Sequence, residues 1–208
     1  MAEAAPSAEL RASFGDIDIY LFDQLMRGRI APGMRVLDAG CGGGRNLVYL
    51  LQNGYDVFAS DADPAAVRHV QRIAASLAPS LPAANILLAP VEQMPFSDAF
   101  ADVVLSSAVL HFARDDAQFD AMVNEMWRVL KPGGLLWCRL ASTIGIADRV
   151  RPIRGRWSVL PDGSERYLVD EALLVEFTRK LGGRLIDPIK TTVVQDQRSM
   201  TTWVVRKL

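Results

Sequence analysis

The residues best suited to chemistry are the alternation Asp38, Gly40, Gly42, Gly44 and a second acid, Asp61. The glycines fall between a short apolar run, Met34–Ala39, and a stretch with helical periodicity. Glycine is needed where φ is positive or where backbone must touch a ligand. A carboxylate closing the second strand, about twenty residues beyond such a loop, can accept both hydroxyl hydrogens of a ribose. Dinucleotide enzymes use a similar crevice, but their G-x-G-x-x-G fingerprint, counted from Gly40, requires a third glycine where this chain has Arg45. A nicotinamide-dependent dehydrogenase is the weaker reading for that reason.

Other reactive side chains are few. Cys41 lies among the loop glycines with no base beside it in sequence, which favours packing over nucleophilic attack. Cys138 has no second Cys at metal-ligand spacing, so neither a zinc site nor a disulfide framework is expected. His111 follows the fourth apolar run and titrates in a range suited to general-base work. His69 sits in a helical pattern, as a surface residue. The segment Ser142–Leu168 carries Arg149, Arg151, Arg154, Arg156 and Arg166, whose guanidinium forks suit carboxylate or phosphate. Arg45, Arg154 and Arg156 are the candidates for holding an acceptor.

The elements that must position these groups alternate between strand and helix from Met34 onward, the pattern of a doubly wound α/β fold with a mostly parallel sheet. Strands are expected at Met34–Ala39, Tyr55–Ser60, Asn85–Ala89, Asp102–Ser106 and Leu135–Ala141. A helix from Arg45 to Asn53 ends at Gly54; a second is capped by Asp63 and begins with Pro64; a third opens at Asp115 or Asp116 and stops at Lys131-Pro132-Gly133-Gly134. Asp170 caps a fourth, and Leu185–Val194 with Met200–Arg206 form an antiparallel hairpin. Trp137 and Trp203 fall in strands and belong to the core. Ser142–Leu168 has no periodicity and reads as a long irregular loop, with Trp157 and Tyr167 heavy enough to make it a lid over the acceptor. Asp16–Gly28 has helical spacing, so residues 1–33 are expected to form a helical cap and residues 34–208 the catalytic domain.

Composition narrows the class. Half the 208 residues are hydrophobic and 23% charged, and the formal net charge is -1, which disfavours a dedicated nucleic-acid binder. No apolar run approaches the roughly 20 residues of a membrane span. Met1–Leu10 lacks the basic and apolar regions of a signal peptide, so the expected compartment is the cytoplasm.

The run VLDAGCGGGRN closely resembles the first motif of the S-adenosylmethionine-dependent methyltransferases with the Rossmann-like seven-strand sheet. The resemblance continues through ASDADP, VEQMPF, SSAVLHF and LKPGG, covering roughly Met34–Ala141. GCGGGRNLVYLLQNGYDV looks most like the tellurite-resistance type and its small-molecule relatives. The resemblance implies a seven-stranded sheet with an antiparallel C-terminal hairpin strand and S-adenosylmethionine as cofactor. It sets Gly40, Cys41, Gly42 and Gly44 against the methionine part, Asp38 toward its amino group and Asp61, with neighbouring Ala62, at the ribose. Ser106 and Ser107 close the fourth strand beside the same site. The family usually supplies an acid to the adenine amino group after the third strand, and here Pro90 stands in its place. Val91 backbone or Glu92 is the substitute.

These features favour a small-molecule acceptor, with no nucleic-acid or membrane partner and no metal; they leave the oligomeric state open. A methyltransferase acting on nucleic acid or protein is the alternative, disfavoured by SSAVLHF in place of an Asn/Asp-Pro-Pro-Tyr/Phe pattern. A non-catalytic module that binds S-adenosylmethionine is the other.

Overall fold

The computed structural model describes residues 5–208, so the first residues of the Ala-rich start, Glu3 included, lie outside them. Two compact units emerge, Met1–Pro90 and Val91–Leu208, a division that falls inside the span expected to be one catalytic domain. Among the described residues no helix is long and apolar enough to cross a membrane.

The first unit holds three parallel strands, β1 (Arg35–Ala39), β2 (Asp56–Asp61) and β3 (Ile86–Leu88), with β2 between the others. Val36, Leu37, Val57 and Ala59 are fully buried, as strands covered on both faces should be. The glycine loop does not open directly into a helix. Gly44 N–H bonds to the Cys41 carbonyl and Leu47 N–H to that of Gly44, so the chain turns twice before α3 (Val48–Gln52) begins. The expected helix from Arg45 is therefore shorter, because Leu47 N–H closes a three-residue turn on Gly44 and the four-residue ladder begins only with Leu51 N–H on the Leu47 carbonyl. α4 (Pro64–Leu77) starts as the sequence indicates: the Asp63 carboxylate accepts the Ala65 N–H at 2.8 Å, and Val67, Val70 and Ala74 are buried.

Among the described residues two helices precede β1: α1 (Ala5–Phe14), which periodicity did not reveal, and α2 (Ile19–Met26). They are fixed to α3. Phe14 stacks on Tyr49 with ring centroids 5.3 Å apart and meets Phe22 edge-on at 5.0 Å, while Gln52 Nε2 donates to the Ala12 carbonyl.

The second unit is a mixed sheet. β4 (Ala101–Ser107) runs parallel to β5 (Leu130–Ala141), and β11 (Arg198–Lys207) lies antiparallel on the other side of β5. The expected strand Leu185–Val194 is two, β9 (Gly183–Leu185) and β10 (Lys190–Val194), each antiparallel to a different end of β11. Pro188 lies in the break, where it denies a ladder donor. The seven expected strands are β1 to β5, β10 and β11, and β9 is an addition. α5 (Asp116–Val129) is capped by Asp115, whose carboxylate takes the Gln118 N–H; α6 (Glu171–Lys180) is capped by Asp170. Trp137 and Trp203 are fully buried, and Trp203 Nε1 donates to Thr178 Oγ1 at 2.9 Å.

Ser142–Leu168 is not an irregular loop. It forms an antiparallel meander of β6 (Arg151–Arg154), β7 (Trp157–Val159) and β8 (Glu165–Tyr167). Strands of three or four residues are too short to establish a period of two. The turn between β7 and β8 did have a signal, Pro161-Asp162-Gly163-Ser164, in which Asp162 accepts the N–H and hydroxyl of Ser164.

Candidate functional site

In the first unit the parallel register puts Asp38 one residue before the end of β1 and Asp61 at the end of β2. The Ser60 carbonyl accepts the N–H groups of both Gly40 and Cys41, at 2.8 and 3.0 Å, which fixes the start of the loop to β2. Asp61 fixes its middle: Oδ2 accepts the Gly42 N–H at 2.8 Å, and Oδ1 accepts the Asp63 N–H at 2.9 Å. Ala62 is exposed between these two acids.

Asp38 is 2% exposed, and its Oδ1 is buried without a hydrogen-bond partner. Burial, then the nearby Asp61 charge, push its carboxyl up to about 7, against the opposing pull of Arg45. A buried, unsatisfied carboxylate oxygen is costly unless a donor reaches it. A cationic or amino group is what this oxygen lacks. The Cys41 thiol is buried and raised well above its ordinary value, chiefly by desolvation and then by Asp38 and Asp61. It remains protonated, which supports packing and opposes a nucleophile.

The space at the loop is uneven. A Cβ at Gly42 would meet nothing within 4 Å, whereas one at Gly44 would lie 3.0 Å from Val70 Cγ2, with φ of +72° as a further obstacle. Gly42 has its Cβ side open and Gly44 has its side closed by α4. Arg45, expected near an acceptor or cofactor carboxylate, instead pairs with Asp18 at 3.1 Å, and Asn46 Oδ1 takes the Asp18 N–H at 3.0 Å. The residue after the loop thus holds the N-terminal helices. Asp18 lies in no motif and Asn46 only closes the run VLDAGCGGGRN, so sequence reading gave neither a role.

In the second unit, Ser106 and Ser107 end β4, and Ser106 Oγ is buried without a partner. Ala108 follows with φ of +62°, unusual for a residue with a Cβ, and its N–H donates to the Arg139 carbonyl at 2.7 Å. Such strain concentrates at functional edges. No sequence signal marked it. Val91 is buried; Glu92 Oε1 accepts from Gln118 Nε2 at 2.8 Å.

His111 lies in the single turn Leu110–Phe112 and is 6% exposed. Its Nδ1 accepts the Ala141 N–H at 3.2 Å. Burial first, and the Arg166 charge second, push the imidazolium down to about 4, so the ring is neutral at physiological pH. With Nδ1 already an acceptor, the proton resides on Nε2. The free nitrogen is a donor, and the general-base role expected of His111 is lost to this geometry.

Arg156 is likewise redirected: it bonds to Asp170 at 2.9 Å and serves the start of α6. Arg154 on β6 is exposed and donates through Nη2 to the Arg114 carbonyl at 3.0 Å. The meander is attached within its unit through Tyr167. Tyr167 is buried, stacks on Phe119 with centroids 4.9 Å apart and donates its hydroxyl to Asp116 at 2.7 Å.

Comparison with known proteins agrees with this architecture. The family model described as "Methyltransferase domain" matches residues 37–138. An uncharacterized methyltransferase of Synechocystis sp. is 37% identical over 106 residues, 51% of this chain and 46% of that protein. A malonyl-[acyl-carrier protein] O-methyltransferase of Enterobacter lignolyticus is 33% identical over 141 residues, 67% of this chain and 51% of its relative. The chain thus spans about half the length of the curated relatives it matches. Among solved structures, the Burkholderia thailandensis 1,6-didemethyltoxoflavin-N1-methyltransferase, crystallised with 1,6-didemethyltoxoflavin and S-adenosylhomocysteine, aligns with a TM-score of 0.69. That alignment has 19% identity over 97% of this chain and 82% of the other. By sequence, residues 37–138 carry a methyltransferase domain, and the chain shares its fold with the S-adenosylhomocysteine-bound Burkholderia enzyme.

Proposed function

We propose that the chain transfers the methyl group of S-adenosylmethionine to a small-molecule acceptor. The observation that carries this reading is the buried, unpartnered Oδ1 of Asp38 beneath a loop whose three alternating glycines have positive φ. That oxygen fits the α-amino group of the cofactor's methionine part, and the open side of Gly42 lets backbone approach the same part closely. Asp61 takes the ribose hydroxyls on the lone pairs left beyond the Gly42 and Asp63 N–H groups.

When bound, the cofactor supplies a sulfonium methyl that is already electrophilic. The protein's part is to hold the acceptor in line and keep water away, which accounts for several kcal/mol of barrier without a strong base. His111 then acts as an Nε2–H donor toward the acceptor and accepts no proton. Relatives and fold neighbours named for an acceptor include methyltransferases of malonyl-[acyl-carrier protein], 1,6-didemethyltoxoflavin and magnesium protoporphyrin IX. They support a small or carrier-borne acceptor, as does the formal net charge of -1, which offers nucleic acid little attraction.

The test is calorimetric titration with S-adenosylhomocysteine, followed by an acceptor screen read as S-adenosylhomocysteine release. Saturable binding with turnover on a small molecule is the expected result. Binding without turnover on any acceptor favours a regulatory module, and no binding rejects the reading.

A further inference from the structure

The meander and the turn Leu110–Phe112 meet through positive charge. From β6, Arg154 reaches the Arg114 carbonyl at 3.0 Å; from β8, the guanidinium carbon of Arg166 stands 4.8 Å from the centroid of the Phe112 ring. β7 separates those strands, so both edges of the meander send a guanidinium to one short stretch, residues 112–114. Phe112 is 54% exposed, a large apolar surface left open beside these cations. His111, in the same turn, contributes an N–H and no charge.

Neighbouring arginines are neutralised differently. Arg149 pairs with Asp196, Arg156 with Asp170 and Arg198 with Asp162. Among the described residues, none of Arg114, Arg154 and Arg166 has a carboxylate within 4.0 Å. Arg114 Nε is engaged by the neutral Gln118. Arg166 influences Asp162 through space, but that carboxylate is bonded to Arg198 at 2.9 Å and to Ser164. Arg154 and Arg166 bring two positive charges to residues 112–114, and an oxyanion offsets them while satisfying their forks.

We infer that Arg154 and Arg166, with Arg114 behind them, bind an anionic group of the acceptor, a carboxylate or a phosphate, against the face of Phe112. This deepens the proposed function and rests on it: the anion anchors the acceptor, and the adjoining His111 N–H orients it.

The test uses the intact chain saturated with S-adenosylhomocysteine and follows the Arg Nε–Hε resonances of Arg154 and Arg166 by NMR. The probes are benzoate, phenyl phosphate and, as the neutral counterpart, benzamide. One or both anions should shift these resonances saturably while benzamide does not, and whichever anion binds more tightly names the group. In R154Q/R166Q, with the backbone amides of Phe112 and Arg114 followed in both proteins, that affinity should fall roughly tenfold or more, the scale for losing charge-assisted hydrogen bonds. Binding of S-adenosylhomocysteine, measured on the same samples, should remain unchanged. Equal binding of benzamide, wild-type resonances unmoved at millimolar anion, or full affinity in the double variant overturns the assignment. Failure of S-adenosylhomocysteine to bind wild type strikes the cofactor reading instead, because the anion titration is read separately.

Discussion

Asp61 and Gly42 are joined by a 2.8 Å hydrogen bond from the glycine's N–H to the carboxylate, so the acid proposed to hold the ribose also shapes the glycine loop. Asp61→Ala should therefore act twice. Loss of hydrogen bonds to a charged acceptor weakens S-adenosylhomocysteine binding by about 1–3 kcal/mol. Release of the Gly42 and Asp63 N–H groups also lowers the melting temperature of the ligand-free protein. Calorimetry with a thermal melt separates the two; unchanged affinity with a lowered melting temperature leaves Asp61 a purely structural residue.

Asp38 makes stability depend on pH. Its carboxyl is raised from 3.8 to about 7 in the folded chain. Between those values the folded state holds a proton that the unfolded state has released, so stability falls as pH rises through that window. Asp38→Asn removes the burden, and at pH 8 the ligand-free variant should be the more stable by on the order of 2–4 kcal/mol, with the difference gone near pH 4. The same variant should bind S-adenosylhomocysteine more weakly. Melting curves at the two pH values decide the first point, and a variant less stable at pH 8 refutes it.

Gly42 and Gly44 should fail in different ways. Gly42→Val meets open space and only the strain of a positive φ, so the chain folds and cofactor binding is lost. Gly44→Ala drives a methyl against Val70 at a φ of +72°, so its principal effect is a lower melting temperature. Normal binding by purified Gly42→Val would remove the loop from the cofactor site.

His111 is depressed from 6.5 to about 4, the opposite case to Asp38. Its contribution to stability is present above pH 6.5 and disappears as the pH falls from 6.5 toward 4, where the unfolded chain takes up the proton first. His111→Asn, which can still accept the Ala141 N–H, should lose less stability over that interval than wild type. The pH–rate profile of wild type should contain no imidazole inflection between pH 5.5 and 8; one that vanished in the variant would restore the general base.

Arg156→Ala should cost roughly 0–1 kcal/mol of stability through its half-exposed pair with Asp170 and leave acceptor KM unchanged. A raised KM with an unaltered melting temperature would return Arg156 to the acceptor site.

Local chemistry was legible in the sequence. The glycines after β1, the acid closing β2, the Asp caps of α4, α5 and α6, and the two strand tryptophans depend on contacts within a few residues or on burial that periodicity encodes. The resemblance of VLDAGCGGGRN to the methyltransferase motif was legible for the same reason: close backbone approach restricts residue type at fixed spacing. The exact limits of α3, and the division of one expected strand into β9 and β10, depended on the turn that Leu47 N–H closes on Gly44 and on Pro188, whose effects a periodic pattern averages away.

The partners of the charged side chains were decided only by tertiary structure. Arg45 faces Asp18 from 27 residues away, Arg156 faces Asp170, and His111 spends its lone pair on Ala141, 30 residues on. A guanidinium or an imidazole can satisfy itself with any acceptor or donor that folding brings within reach, so its sequence position states its chemistry and leaves its occupation open. Conversely, Arg154 and Arg166 lie on different strands of a meander too short to show a period, and only the pairing of β6, β7 and β8 directs both toward Phe112–Arg114.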